Sequence, residues 1–248
     1  MQVAASIKTL VIAFIILSFT LSGCGIVSAP APKPEVGPTG KPAESKPNPP
    51  FLEKFYSAPL ELYDLESTAG VVFEGINKEN WAQAQAGLNN LQTLWSQAKS
   101  SVGEKKGVTQ ADVSIIELTA AINDRKITAA YEYLIKFMGS ISDIGKSYKL
   151  SPIADIIVVS NAIRNVSFYV EDKDWSKAAA KVQELEGTWK QVKPSMEQIG
   201  ILKEITKTHL AINQVKDAVN AENKGSFVEQ QGNLNESMGR IREFYRGK

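Results

Sequence analysis

The stretch Trp81-Ala82-Gln83-Ala84-Gln85-Ala86-Gly87-Leu88-Asn89-Asn90-Leu91-Gln92-Thr93-Leu94-Trp95 sets the reading of the whole chain. Its apolar residues Trp81, Ala84, Leu88, Leu91 and Trp95 recur at helical spacing, with glutamine and asparagine between them. Fourteen residues separate the two tryptophans, about 40° short of four full helical turns, so both rings face the same way. Upstream, Leu62, Leu65, Ala69, Val72 and Ile76 form a second stripe, and the short segment Asn77-Lys78-Glu79-Asn80 between them reads as a turn. The unit is an antiparallel helical hairpin.

The same template returns three times. Val108, Ala111, Ile115, Leu118 and Ile122 lead to Ile127, Ala130, Leu134, Phe137 and Ile141. Ile156, Val159, Ile163, Val166 and Val170 lead to Trp175, Ala178, Val182, Leu185 and Trp189. Ile205, Thr208, Ile212, Val215 and Val219 lead to Phe227, Leu234, Met238 and Ile241, with a turn expected to be three residues longer. The first helices end at Ile76, Ile122, Val170 and Val219, 46, 48 and 49 residues apart, which marks an internal repeat. All four tryptophans belong to the first and third hairpins, which points to a duplicated two-hairpin unit. The expected fold is all-α: four antiparallel hairpins, about eight helices, in a duplicated bundle or a short α-solenoid.

Capping signals fit these bounds. Thr109-Gln110-Ala111-Asp112 reads as a capping box, Ser151-Pro152 as an N-cap followed by proline, and Asp174 as a cap before Trp175. Gly103 with Gly107, Gly145 with Pro152, and Pro194 with Gly200 are expected to punctuate the joins. The segment from Ser151 to Val170 is apolar nearly all round, so it is expected to be buried as the joint between halves 51–147 and 148–248.

Outside residues 51–248 the composition changes. Residues 25–50 hold eight of the eleven prolines and read as a semi-extended linker of roughly 80 Å at about 3.1 Å per residue. Residues 1–23 have one charge, Lys8, and an apolar run from Leu10 to Leu17, short for a membrane span and suited to a secretory signal. Leu21-Ser22-Gly23-Cys24 resembles the bacterial lipobox. The resemblance implies that the Cys24 thiol takes a diacylglycerol, that the chain is cut before it, and that acylated Cys24 opens a 24–50 tether on the extracytoplasmic face of the cell membrane, or of an outer membrane if the source has two. The other reading is an ordinary signal peptide or uncleaved anchor with a free thiol. Cys24 is the sole cysteine and stands where a lipobox needs it.

Composition narrows the work done there. Removing Lys8 from 28 basic residues leaves 27 against 27 acidic ones, so a basic field for nucleic acid or a lipid patch is not expected. With Cys24 acylated there is no disulfide and no thiolate metal site, and His209 as the single histidine rules out a two-histidine site within one chain. No cofactor, metal or catalytic residue is expected. His209 has no nucleophile motif beside it. Asp64 with Glu61, or Asp112 with Glu117, could gather in a groove, but solvated faces and a cap explain them. The tryptophans read as core rather than as a stacking site, and Arg240, Arg242, Arg246 and Lys248 as cations favoured at a helix C-terminus.

The run from Trp81 to Trp95, continued through Asp112, Ile122, Ala130 and Leu134, resembles a family of small exported helical proteins of Gram-positive spore-forming bacteria known as a domain of unknown function. The likeness spans residues 75–144 and, more loosely, 171–245. It implies an exported helical fold and no site residue. The repeat also resembles tetratricopeptide and HEAT arrays in architecture. The expected function is a non-enzymatic, lipid-anchored module contacting an envelope protein or peptide. The alternative is a lipoprotein that takes a small ligand or solute in a pocket between the halves.

Overall fold

The computed structural model describes residues 57–197 and 201–247. Eight helices follow in order: α1 Leu60–Asn77, α2 Trp81–Val102, α3 Val108–Asn123, α4 Ile127–Gly145, α5 Ile153–Glu171, α6 Trp175–Glu197, α7 Leu202–Asn220 and α8 Lys224–Arg246. The described residues contain no strand. The signal, Cys24 and the linker lie outside the described residues, as does Gly200.

The four hairpin turns share one geometry. Glu79, Arg125, Lys173 and Glu222, each two residues before the next helix, take positive φ between 50° and 59°. In the last three, a Schellman pair of backbone bonds closes the helix: Arg125 N–H to Ile122 O and Lys126 N–H to Ala121 O, with the same pattern at Lys173 and Glu222. Side chains then start the next helix, because Asn80, Asp174 and Asn223 accept from the N–H of Gln83, Lys177 and Ser226. The fourth turn is therefore as short as the others. Lys224, not Phe227, stands where Trp81, Ile127 and Trp175 stand.

Three other boundaries differ from expectation. Gly107, at φ 105°, is the N-cap of α3, and a Cβ there would lie 2.5 Å from Ser140 O. The capping box at Thr109–Asp112 does not form, and Asp112 is used elsewhere. Pro194 sits inside α6 rather than ending it. α5 is capped by Pro152, with Ser151 Oγ accepting from the N–H of Ile153 at 3.4 Å.

Each half closes as a four-helix bundle, since α1 returns to α4 and α5 to α8 in addition to the hairpin and neighbour contacts. The two bundles meet through α1, α4, α5 and α8, and α8 reaches α1. A solenoid repeat touches only its neighbours, so this is a duplicated bundle and not a solenoid. One core runs through both halves, and α5 packs against α1, α4, α6 and α8. α5 alone among the described helices is long and apolar enough to cross a membrane, but 72% of that window is buried within the fold.

The duplication shows in side chains as well. Trp95 and Trp189 are buried at equivalent places, while Trp81 and Trp175, each opening its helix, are half-buried against the core.

Candidate functional site

The inner four helices make two corresponding seams. In the first, α4 and α5 pack tightly. A Cβ on Gly145 would lie 3.0 Å from Ile153 and 3.1 Å from the Ala154 N, so any side chain there would have to push α5 back by a few tenths of an ångström. Ser142 Oγ donates to Ala154 O at 3.2 Å, and Tyr131 stacks on Phe168 with ring centroids 3.9 Å apart. Leu134 and Met138 fill the middle, fully buried.

In the second seam, α8 takes the place of α4 and α1 that of α5. Counting from the shared turns, Leu134 becomes Gln231, Ile135 becomes Gly232, Met138 becomes Asn235, Ser142 becomes Gly239 and Gly145 becomes Arg242. Bulk is lost at every step but the last, where a guanidinium replaces a hydrogen, and apolar side chains are lost at the first three. The helices are held at one end by Arg246, which grips Asp64 through Nε and Nη2 at 2.7 and 3.1 Å. Beyond that clamp they enclose a cleft of about 480 Å³ floored by α5. A Cβ added to Gly70 on α1 or to Gly232 on α8 would meet nothing within 4 Å, so both glycines face open space.

The floor is charged. Arg164 of α5 donates through Nη2 to Glu66 Oε1 at 2.9 Å and to the Glu66 carbonyl at 3.2 Å, and through Nη1 to Asn161 at 2.9 Å. Arg242 of α8 donates to the other carboxylate oxygen at 2.7 Å. Glu66 and Arg164 are only 4% and 6% exposed. Burial opposes the charge on Glu66, but Arg164 and Arg242 outweigh it and hold the carboxyl below its ordinary value. Burial also opposes the charge on Arg164, yet a guanidinium does not lose its proton in a protein. Two cations thus share one anion. Ser160 and Ser167 complete the floor, Ser167 accepting from Gln231. At the walls, the side chains of Ser67 and Asn235 make no hydrogen bond among the described residues, and the exposed Val71 and Val228 flank the mouth.

The carboxylates considered from sequence are dispersed. Asp64 belongs to Arg246. Asp112 accepts from Trp95 Nε1 at 2.9 Å and from Lys99 at 2.6 Å, and these two bonds hold its carboxyl low against a burial effect that would raise it. His209 is exposed on α7. Among the described residues no three His, Cys, Asp or Glu side chains gather closely enough to hold a metal. The basic residues of the last helix are ion-paired: Arg242 with Glu66, Arg246 with Asp64, and Arg240 with Glu204 and Glu236. They are ties between helices more than a dipole effect.

Glu66 and Arg164 were not singled out by sequence, although a signal existed. Arg164 interrupts α5, a helix apolar nearly all round, and an arginine there must find a carboxylate. No protein-family model, curated protein or solved structure matches the chain.

Proposed function

We propose that the protein is an extracytoplasmic lipoprotein, anchored through Cys24, whose helical unit is a non-enzymatic module holding a segment of another envelope protein or peptide in the cleft between α1 and α8. The observation that carries this is the shape of the cleft. Its floor is buried and polar, while Ser67, Val71, Glu74, Val228, Gly232 and Asn235 on its walls are exposed. A small-solute pocket encloses about 70–90% of its ligand, whereas a trough with exposed walls leaves its occupant partly in solvent, as a segment of a longer chain would be. The lipobox-like Leu21-Ser22-Gly23-Cys24 and the proline-rich residues 25–50 support the tethered placement.

The test places the photo-crosslinking residue p-benzoylphenylalanine at Asn235 in the full chain in cells, with exposed Gln110 on α3 as control. Illumination should give a discrete protein adduct from position 235, none from 110, and none from position 235 when Cys24→Ser releases the protein from the membrane. Equal adducts from both positions, or none from 235, would overturn the reading.

A further inference from the structure

The charge on the cleft floor identifies what the occupant carries. Glu66 gives one oxygen to each arginine, so the buried Arg164 and the partly exposed Arg242 share one carboxylate. Nearby acids restore the balance only in part. Glu74 is taken by Lys78 at 2.6 Å and Glu171 by Lys224 at 2.7 Å, both at the rim. Glu243 reaches Arg242 Nε only at 3.4 Å and is 60% exposed. Arg242 Nη2 makes no hydrogen bond among the described residues. Arg242 is the partly exposed member of the group and lines the cleft with Nη2 unused, so an arriving anion would supply the counterion that Glu66 has to divide. Guanidinium favours a planar carboxylate because paired N–H donors match its two oxygens.

The surroundings point to a peptide rather than a bare ion. A cavity of about 480 Å³ lies within the roughly 300–1,000 Å³ range of ligand sites and far exceeds one anion. Asn235 and Ser67 offer amide and hydroxyl groups to a backbone, and Val71 and Val228 offer apolar contact at the mouth. Beside the seam between α4 and α5 lies a cavity of about 300 Å³ that also presents amides, hydroxyls and Val158, but Lys146 there is paired with Asp143 and no arginine lines it.

We propose that the cleft between α1 and α8 recognises a carboxylate borne by a peptide segment, seated against Arg164 and Arg242, with an apolar neighbour between Val71 and Val228. This inference rests on the reading of the cleft as a peptide site. Its test uses four pools of randomised hexapeptides on the full chain in detergent. The pools carry one fixed Asp/Glu or one fixed Asn/Gln, each with a free or an amidated C-terminus and no other acidic residue. Retention on immobilised protein is compared for the native chain, Gly70→Leu and Arg242→Gln. Gly70→Leu fills the cleft from a position where a Cβ meets nothing, so the fold is expected to survive, as circular dichroism would show.

At least one carboxylate-bearing pool should be retained ten times more than the pool with none, and which pool it is tells a side chain from a C-terminus. That preference should vanish in Gly70→Leu and fall in Arg242→Gln. Equal retention of all pools, still abolished by Gly70→Leu, would overturn the carboxylate inference and leave the peptide site standing. No retention of any pool, or retention indifferent to Gly70→Leu, would overturn both.

Discussion

The seam between α4 and α5 and the seam between α8 and α1 are built from corresponding residues of a duplicated unit, yet the first packs closely at Gly145 and leaves a cavity of about 300 Å³ toward α6, while the second opens into a cleft of about 480 Å³ floored by charge. In the first, Gly145 lets backbones touch and Met138 plugs the centre. In the second, Arg242 and Asn235 stand at those positions. Chain connectivity accounts for part of this contrast. α4 and α5 are joined by a short segment that holds them together, whereas α8 and α1 are the last and first helices and need side chains to meet. Asp64–Arg246 and Glu66–Arg242 supply that link over 182 and 176 residues of sequence. A fold whose packing was satisfied once can spare its second seam for polar groups, because the continuous core already supplies the hydrophobic stabilisation.

The largest test of this contrast is the removal of the anion both arginines share. Glu66→Ala leaves the buried Arg164 without its counterion and takes from Arg242 the nearer of its two, and should destabilise the protein by about 3–5 kcal/mol in urea titration. The native protein should also be acid-sensitive through this group. Because Glu66 is held below the ordinary value of 4.5 in the fold, the unfolded chain takes up the proton first. Its contribution is complete above that value and drains away as pH falls through the lower folded value. Glu66→Gln should therefore flatten the pH dependence of the melting midpoint as pH falls below 4.5. An unchanged slope would mean that the open seam is not held by charge.

The next test compares glycines across the seams. Gly145→Ala pushes a methyl into the Ala154 backbone and should cost roughly 1–3 kcal/mol. Gly232→Ala, on the open side, meets nothing and should gain up to about 1 kcal/mol from helix propensity. If Gly232→Ala proved as damaging as Gly145→Ala, the cleft would be closed in solution.

Much of this architecture is legible in the sequence. Apolar periodicity located all eight helices, since each stripe is the buried face of its helix and burial imposes the 3.6-residue period. What escaped were features whose cause lies outside the helix that carries them. The fourth turn was read as long because Lys224 replaces the apolar residue that opens α2, α4 and α6, and an exposed helix start does not require one. Asp112 was read as a cap because Thr109 and Asp112 have capping spacing, but the close approach of Ser140 fixes the start of α3 at Gly107. A pocket between the halves was one of the two readings, but its lining by α1 and α8 was not legible because it is set by packing between helices 176 residues apart at Glu66 and Arg242. Arg164 gave the one available hint.

The smallest test uses the divergence of the halves. Trp95 and Trp189 are equivalent and both buried, but the indole of Trp95 donates to Asp112, while Trp189 Nε1 is buried with no partner. The residue of α7 at the position of Asp112 is His209, and Lys193 of α6 stands where Lys99 stands. His209→Asp should recreate the first half's arrangement, with an acceptor for the stranded indole and a lysine beside it. A satisfied bond of this kind contributes about 1 kcal/mol, which should appear as a raised midpoint in urea. The increment should disappear in a Trp189→Phe background, which has no donor. A gain of equal size there would come from surface charge instead, and no gain in either background would mean that the backbones of the two halves do not superpose closely enough for one half's bond to form in the other.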